Sequence, residues 1–99
     1  MTAPFLKTLR GALYRTHAIE WLCSLDPGIA QLVVADPPYN IGKAPWDRFA
    51  TGEQYLDWTD RWVTAAHRVL ADYGTLYICG YPEPLAHIAA RVGPPFASI

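Results

Sequence analysis

Charged residues of one sign are not in excess in this 99-residue sequence, and no like-charge run, internal repeat or low-complexity segment interrupts it. Lys and Arg total 8 and Asp and Glu total 9, so the formal net charge is -1. A protein that holds nucleic acid through its overall charge needs a clear excess of Lys and Arg. If this chain acts on a polyanion, most of the phosphate contacts must therefore come from elsewhere.

Cysteine is scarce and long apolar runs are missing. Cys23 and Cys79 form no CxxC or CxxxC pattern, so we interpret them as buried free thiols of a cytoplasmic protein. No stretch approaches the roughly 18 consecutive apolar residues of a membrane span. Lys7, Arg10 and Arg15 interrupt the amino-terminal segment, which therefore lacks the apolar centre of a signal peptide. We expect a soluble, cytoplasmic protein with no membrane contact and no metal centre.

Apolar and aromatic residues, by contrast, are plentiful. Hydrophobic residues make up 52% of the sequence and aromatic residues 13%, which is enough for a packed core and excludes the disordered class. The length corresponds to one small domain or to a part of a larger one.

Apolar periodicity predicts three strands and three helices in alternation. The predicted strands are residues 11–16, 30–36 and 75–80, and the predicted helices are residues 17–25, 51–74 and 83–93. Thr51 and Gln54 form a capping-box pattern at the start of the long helix, and Gly74 is interpreted as its carboxyl-terminal glycine. One apolar stripe with helical spacing follows Thr51, namely Tyr55, Trp58, Trp62, Ala66, Val69 and Leu70.

The alternation of strands and helices indicates βαβ units. We therefore predict an α/β fold, as part of a doubly wound, Rossmann-like parallel sheet of about three strands with flanking helices. The middle strand, "AQLVVAD" (30–36), is apolar at nearly every position, which is typical of a parallel strand covered on both faces. Complete sheets usually have about five or six strands, so we expect the chain to be one part of a larger domain.

The stretch "VVADPPYNIGK" (33–43) carries the candidate site. In open parallel sheets, ligands bind outside the carboxyl ends of the strands, which is where Asp36 lies. Pro37 and Pro38 each hold φ near about -65° and keep the preceding residue extended. The result is a stiff row of acceptors, the Asp36 carboxylate and the two proline carbonyls, beside the flat ring of Tyr39. The amino group of an aromatic base would complement this row. The alternative is that Asp36 only initiates a turn, as Asp-Pro sequences often do.

With "DPPY" after an apolar strand, the adjacent "NIG", a tryptophan-rich helix and the strand "GTLYI", the chain resembles the DNA amino-methyltransferases over about residues 12–96. This family transfers a methyl group from S-adenosylmethionine to adenine N6 or cytosine N4. The resemblance implies that Asp36 and the Pro37 carbonyl accept hydrogen bonds from the target amine, with Pro38 in the same catalytic motif. It also implies that Tyr39 stacks on a base flipped out of the DNA duplex.

The resemblance further implies S-adenosylmethionine as the cofactor, next to His17, Asp36 and Asn40. Family members commonly carry Gly-Asp before the first helix, where this chain has Thr16-His17, and the family's glycine-rich cofactor loop has no counterpart in these residues. In one permuted branch of the family, DPPY precedes that loop. We therefore expect residues 1–99 to be the N-terminal catalytic part of a truncated methyltransferase domain. Its partners would be DNA and a missing C-terminal half or second chain.

Three functions remain open from the sequence. The first is an adenine-N6 DNA methyltransferase, which the aspartate before "PPY" favours within this branch of the family. The second is a cytosine-N4 DNA methyltransferase. The third is a truncated, inactive remnant or a small binding domain without catalysis.

Overall fold

The computed structural model describes residues 3–42 and 45–98. Its elements follow in the order β1 (Leu6–Lys7), β2 (Ala12–Leu13), α1 (Ala18–Ser24), β3 (Ala30–Ala35), a short 3-10 helix (Pro45–Asp47), α2 (Gly52–Val69), β4 (Leu70–Ile78) and α3 (Pro82–Val92). The predicted α/β class, with a parallel sheet and flanking helices, is confirmed.

The parallel sheet consists of β3 and β4 within the described part of the chain. Val33 pairs with Leu76, and Ala35 pairs with Ile78. The expected third strand does not join them, because Ala12–Leu13 pairs antiparallel with Leu6–Lys7 in a separate hairpin. A local hairpin closes only a short loop, which costs little chain entropy. The prediction of about three strands in one sheet was therefore wrong for the described residues.

The core lies on one face of this sheet, between the strands and all three helices. Its buried centre comes from α2 and α3, namely Tyr55, Trp62, Val63, Ala66, Ile88 and Val92. Side chains from the inner faces of both strands pack against this centre, namely Val33, Ala35, Leu76 and Ile78. Ile19 and Leu22 of α1 complete it. The apolar stripe predicted on the long helix is confirmed as its core-facing side as far as Val69, but its last residue, Leu70, belongs to β4.

The predicted start of α2 is confirmed, but its predicted end was wrong. The Thr51 side chain accepts a hydrogen bond from the Gln54 amide N–H at 3.0 Å, as a capping residue should. The helix ends at Val69, and the chain enters β4 directly. Gly74 lies inside β4, where an added Cβ would lie 3.0 Å from the Ala30 carbonyl oxygen. This glycine thus permits the close approach of two strands at an irregularity in their pairing, and it does not terminate a helix.

The burial predicted from the apolar sequence of β3 was also wrong. β3 was predicted to be covered on both faces, but Leu32 is 55% exposed and Val34 is 65% exposed. Tyr77 of β4, which pairs with Val34, is 61% exposed. All three described helices pack on the opposite face, so an all-apolar strand sequence is here combined with a sheet covered on one side.

Cys23 and Cys79 are both free, as predicted, but both are exposed and not buried. Cys79 comes directly after β4, and Cys23 lies in α1 on a side that does not face the core cluster. In residues 3–42 and 45–98, no three His, Cys, Asp or Glu side chains come together as a metal-binding group. Within the same residues, no helix combines the length and the apolarity that a membrane crossing requires.

Candidate active site at the carboxyl end of the sheet

Asp36 lies where the sequence places it, at the carboxyl edge of the parallel sheet. The ladder continues to the preceding residue, because the Cys79 amide N–H donates to the Ala35 carbonyl at 2.9 Å. The Asp36 side chain is exposed, and Pro37 and Pro38 are half-buried behind it. A carboxylate is therefore held on rigid backbone at the point where ligands bind in open parallel sheets.

Tyr39 contacts that carboxylate directly. Its hydroxyl donates a hydrogen bond to Asp36 Oδ1. This bond, with some desolvation and the nearby negative charge of Asp36, raises the pKa of Tyr39 to about 12, because each effect favours the protonated phenol. One oxygen of the candidate catalytic acid is thus occupied by the residue that was expected to stack on the base.

The Tyr39 ring meets a second tyrosine that the sequence reasoning missed. The Tyr81 ring lies edge-on to it, with centroids 5.5 Å apart and an interplanar angle of 83°. Tyr81 follows β4 by three residues, so it lies at the same edge of the sheet as Asp36. The rule that points to Asp36, that carboxyl ends of parallel strands meet at one edge, could have identified Tyr81 as well.

The two proline carbonyls are not equivalent. The Tyr55 hydroxyl of α2 donates to the Pro38 carbonyl at 2.8 Å, and burial raises the pKa of Tyr55. No hydrogen-bond donor among the described residues reaches the Pro37 carbonyl. Of the acceptors that the sequence predicts, Pro38 is used to anchor the loop to the core, and Pro37 remains available beside Asp36.

Asp47 holds the rest of the loop, and it was not predicted as a site residue. Its side chain is 2% exposed and accepts the amide N–H groups of Asn40 at 2.7 Å and Ile41 at 3.2 Å. Its backbone carbonyl accepts the Gly42 N–H at 3.1 Å. Asn40 and Gly42 both have positive φ, 61° and 73°, which asparagine and glycine tolerate best. An aspartate shortly after such a turn was the sequence signal for this anchor.

A cleft of about 550 Å³ opens beside this loop, between the loop and the start of α3. The rings of Tyr39, Tyr55 and Tyr81 line it, together with Glu83 and His87 from α3. Asp36 is not part of its lining. The cleft therefore places aromatic faces next to the candidate acid and is large enough to take a planar ring system.

The three residues predicted near a cofactor are only partly brought together. Asp36 and Asn40 lie in one loop, and the Asn40 side-chain oxygen accepts the Phe49 amide N–H at 3.1 Å. His17 caps the start of α1, where its Nδ1 accepts the Glu20 amide N–H at 3.5 Å. Among the described residues, no hydrogen bond or ion pair joins His17 to the Asp36 loop.

Comparison with known proteins shows which family this arrangement belongs to. The family model described as DNA methylase matches residues 30–93, which include β3, the whole loop, α2, β4 and α3. Among curated proteins, the Type II methyltransferase M1.MboII of Moraxella bovis is 34% identical over 76 residues, covering 77% of this chain and 29% of that protein. The Type II methyltransferase M.ScaI of Streptomyces caespitosus is 34% identical over 83 residues, covering 82% of this chain and 27% of that protein.

A third relative is the DNA adenine methyltransferase YhdJ of Escherichia coli strain K12, which is 35% identical over 77 residues, covering 72% of this chain and 25% of that protein. The chain thus spans less than a third of the length of these relatives. The family match covers more than half of the chain and includes the candidate residues Asp36, Pro37, Pro38, Tyr39 and Asn40, while His17 lies outside it. The chain belongs to the DNA methylase family, the DNA amino-methyltransferases.

Proposed function

We propose that this chain is the catalytic part of a site-specific, cytoplasmic DNA methyltransferase that methylates adenine N6. The observation that carries the proposal is the exposed Asp36 carboxylate at the end of β3, beside a Pro37 carbonyl that no described donor reaches. The family match and the name of the adenine methyltransferase YhdJ support the substrate class.

In this proposal, the two acceptors bind the two N–H groups of the exocyclic amine. One N–H donates to the Asp36 carboxylate and the other to the Pro37 carbonyl. Because Pro37 and Pro38 hold this backbone extended, the acceptors are oriented before the base arrives, and little reorganisation is needed. Two hydrogen bonds in fixed directions draw the nitrogen lone pair out of conjugation with the ring and make it available for methylation.

Tyr39 would have two successive roles. Before the base binds, its hydroxyl donates to Asp36 Oδ1 and satisfies that oxygen. When the amine arrives, it replaces the phenol as the donor, and the Tyr39 ring becomes free to stack on the flipped base. Tyr81 lies edge-on to Tyr39 and would limit the positions that its ring can take.

S-adenosylmethionine would supply the methyl group. Three groups would be available to bind it, namely the second carboxylate oxygen of Asp36, the side-chain NH₂ group of Asn40 and the Nε2 atom of His17. The Asn40 oxygen and His17 Nδ1 are already engaged within the chain. These few groups are too few to enclose a molecule of that size. Most cofactor contacts would therefore come from residues beyond those of this chain.

We accordingly propose that the 99 residues act as one part of a longer, doubly wound domain. The complementary part would be either a C-terminal continuation or a second chain, and the 99 residues alone would transfer no methyl group. This follows from the chain spanning less than a third of the length of the relatives that it matches.

The test is a chimera in which this chain replaces the matching 76-residue segment of M1.MboII. Methyl transfer from radiolabelled S-adenosylmethionine to DNA is measured, and the methylated base is identified by mass spectrometry of digested DNA. We expect N6-methyladenine, and a loss of about 100-fold or more in rate for Asp36→Ala, the scale seen when one preorganised polar group is removed. Asp26→Ala is the matched control, because Asp26 is also exposed and also precedes a proline.

A folded chimera that transfers methyl groups equally well with Asp36→Ala would contradict the assigned role. Methylation at cytosine N4 would retain the chemistry and correct the substrate. A folded, cofactor-binding chimera without any transfer would favour the inactive remnant.

A further inference from the structure

The cleft of about 550 Å³ beside the site combines tyrosine rings with two polar side chains that the proposed reaction does not use. The rings are those of Tyr39, Tyr55 and Tyr81, and the two polar side chains are Glu83 and His87, one helical turn apart at the start of α3. Apolar walls with a few polar groups are the usual form of a small-ligand site. Since the proposed substrate base stacks on Tyr39, its ring system would lie against this cleft.

Most polar groups of the cleft are already engaged within the chain. The hydroxyls of Tyr39 and Tyr55 donate hydrogen bonds, and the Asn40 side-chain oxygen accepts one. Glu83 Oε1 and His87 Nε2 are 4.0 Å apart, which is longer than a hydrogen bond. Within the described part of the chain, His87 therefore has an N–H donor available for a ligand in the cleft.

The backbone that carries His87 is held firmly in place. The next residue, Ile88, is 3% exposed and belongs to the core cluster. One turn further along α3, Arg91 donates hydrogen bonds to Glu53 of α2 at 3.3 Å and to Asp57. These contacts hold α3 against α2, so the place of His87 in the cleft is set before a ligand arrives.

The chemistry of the two candidate bases shows what such a donor could select. The amine of adenine lies between the ring nitrogens N1 and N7, and both nitrogens accept hydrogen bonds. Cytosine also has a ring nitrogen on one side of its amine, but it has a C–H group in the place of N7. Binding of the amine by Asp36 and Pro37 therefore does not separate the two bases, whereas a hydrogen bond to N7 does.

We propose that His87 is a specificity-determining residue of this site, and that its Nε2–H group donates a hydrogen bond to N7 of the flipped adenine. This inference rests on the proposed function and names the group that selects its substrate. The Glu83 carboxylate lies nearest to Nε2 and favours the tautomer that carries the proton on that nitrogen. Because both side chains are exposed and 4.0 Å apart, His87 can turn towards the base without breaking a formed hydrogen bond.

The experiment uses the chimera with M1.MboII and two DNA duplexes, which carry either adenine or 7-deazaadenine at the target position. The analogue keeps the amine and lacks N7. Both kcat/KM for methyl transfer and the equilibrium affinity are measured for each duplex. For the chimera with His87 intact, we expect both quantities to be about tenfold less favourable with the analogue, which is the scale of one hydrogen bond.

His87→Phe keeps an aromatic ring and removes the N–H donor. It should lower kcat/KM about tenfold on adenine and leave it unchanged on 7-deazaadenine, because the variant and the analogue delete the same hydrogen bond. His87→Gln supplies a side-chain amide N–H and should restore part of the preference for adenine. His67→Phe is the matched control, since His67 is also an exposed histidine of a helix but does not line the cleft, and it should keep the full preference.

Equal losses on both duplexes in His87→Phe would overturn this assignment, and so would a loss that is coupled to N1, tested with 1-deazaadenine. It would also be overturned if Tyr81→Phe, and not His87→Phe, removed the preference, because the donor would then be the Tyr81 hydroxyl. Methylation of adenine without the coupling would reject the role of His87 and leave the proposed function intact. Coupling in the affinities without any methyl transfer would support that role and count against the proposed catalysis.

Discussion

Replacing Asp47 with alanine should open the loop that carries the candidate site. The buried carboxylate accepts amide N–H groups from Asn40 at 2.7 Å and Ile41 at 3.2 Å. A hydrogen bond to a charged group contributes roughly 1.5–3 kcal/mol, so two such bonds amount to about 3–6 kcal/mol. Both bonds are part-buried, and the freed amides can reach water once the loop opens, so we expect a loss at the lower end, about 3 kcal/mol.

The variant Asp47→Asn keeps the size of the side chain but removes its charge and one of its two acceptor oxygens, so it separates their contribution to stability from that of packing. It keeps one acceptor oxygen of similar shape, so we expect about half of the alanine effect, roughly 1.5 kcal/mol. A loss of 3 kcal/mol corresponds to a fall in melting temperature of roughly 12–24 °C for a domain of this size. Domains of this kind are stable by only about 5–15 kcal/mol in total, so the alanine substitution should remove a large part of the stability.

Urea denaturation followed by tryptophan fluorescence measures the change in free energy of unfolding, and hydrogen exchange measures the protection of the two amides. Asp26→Ala is the control, because Asp26 is exposed and its loss should change stability by less than about 0.5 kcal/mol. The reasoning is refuted if Asp47→Ala behaves like this control and the Asn40 and Ile41 amides remain as protected as before.

Two further predictions concern Tyr39 and Gly74. The pKa of Tyr39 is raised from 10.0 to about 12, so its contribution to stability is complete below pH 10 and is lost as the pH rises from 10 to 12. Because burial also raises the pKa of Tyr55, Tyr39 is identified by difference: ultraviolet titration of tyrosinate should lose one late-titrating tyrosine in Tyr39→Phe, and one should shift towards pH 10 in Asp36→Ala. An unshifted curve in Asp36→Ala would exclude the hydrogen bond as the cause. Gly74→Ala should lower stability by roughly 1–3 kcal/mol in thermal denaturation, because its Cβ would lie 3.0 Å from the backbone carbonyl oxygens of Ala30 and Ala71, which cannot move aside as a flexible side chain can. Gly52→Ala in the first turn of α2, where nothing lies within 4 Å, should raise stability by about 0.4–1 kcal/mol, and equal effects at both glycines would contradict the role of close approach.

The position of the candidate site was predictable because the signals for it are local. An apolar strand that ends at Asp36, followed by two prolines, determines where the carboxylate leaves the sheet and how stiff the next residues are. The start of α2 was predictable for the same reason, since Thr51 and Gln54 are three residues apart and interact within one turn.

The sequence did not predict which acceptors and rings of the site are already engaged in contacts within the chain. The Pro38 carbonyl accepts its hydrogen bond from Tyr55, 17 residues further along the chain. Tyr81 reaches Tyr39 only because β3 and β4 are neighbours in the sheet. These contacts distinguish the available Pro37 carbonyl from the engaged Pro38 carbonyl, and no pattern in "DPPY" separates the two.

The same division applies to the whole molecule. The sequence by itself determined the family, the placement of β3 and the core-facing side of α2, because backbone sterics and side-chain periodicity act over a few residues. Only the tertiary structure decided that residues 11–16 do not join the parallel sheet, that Gly74 lies within a strand and that Leu32 and Val34 are exposed. These outcomes depend on which distant segments meet, and an apolar strand has the same sequence whether one or both of its faces are covered.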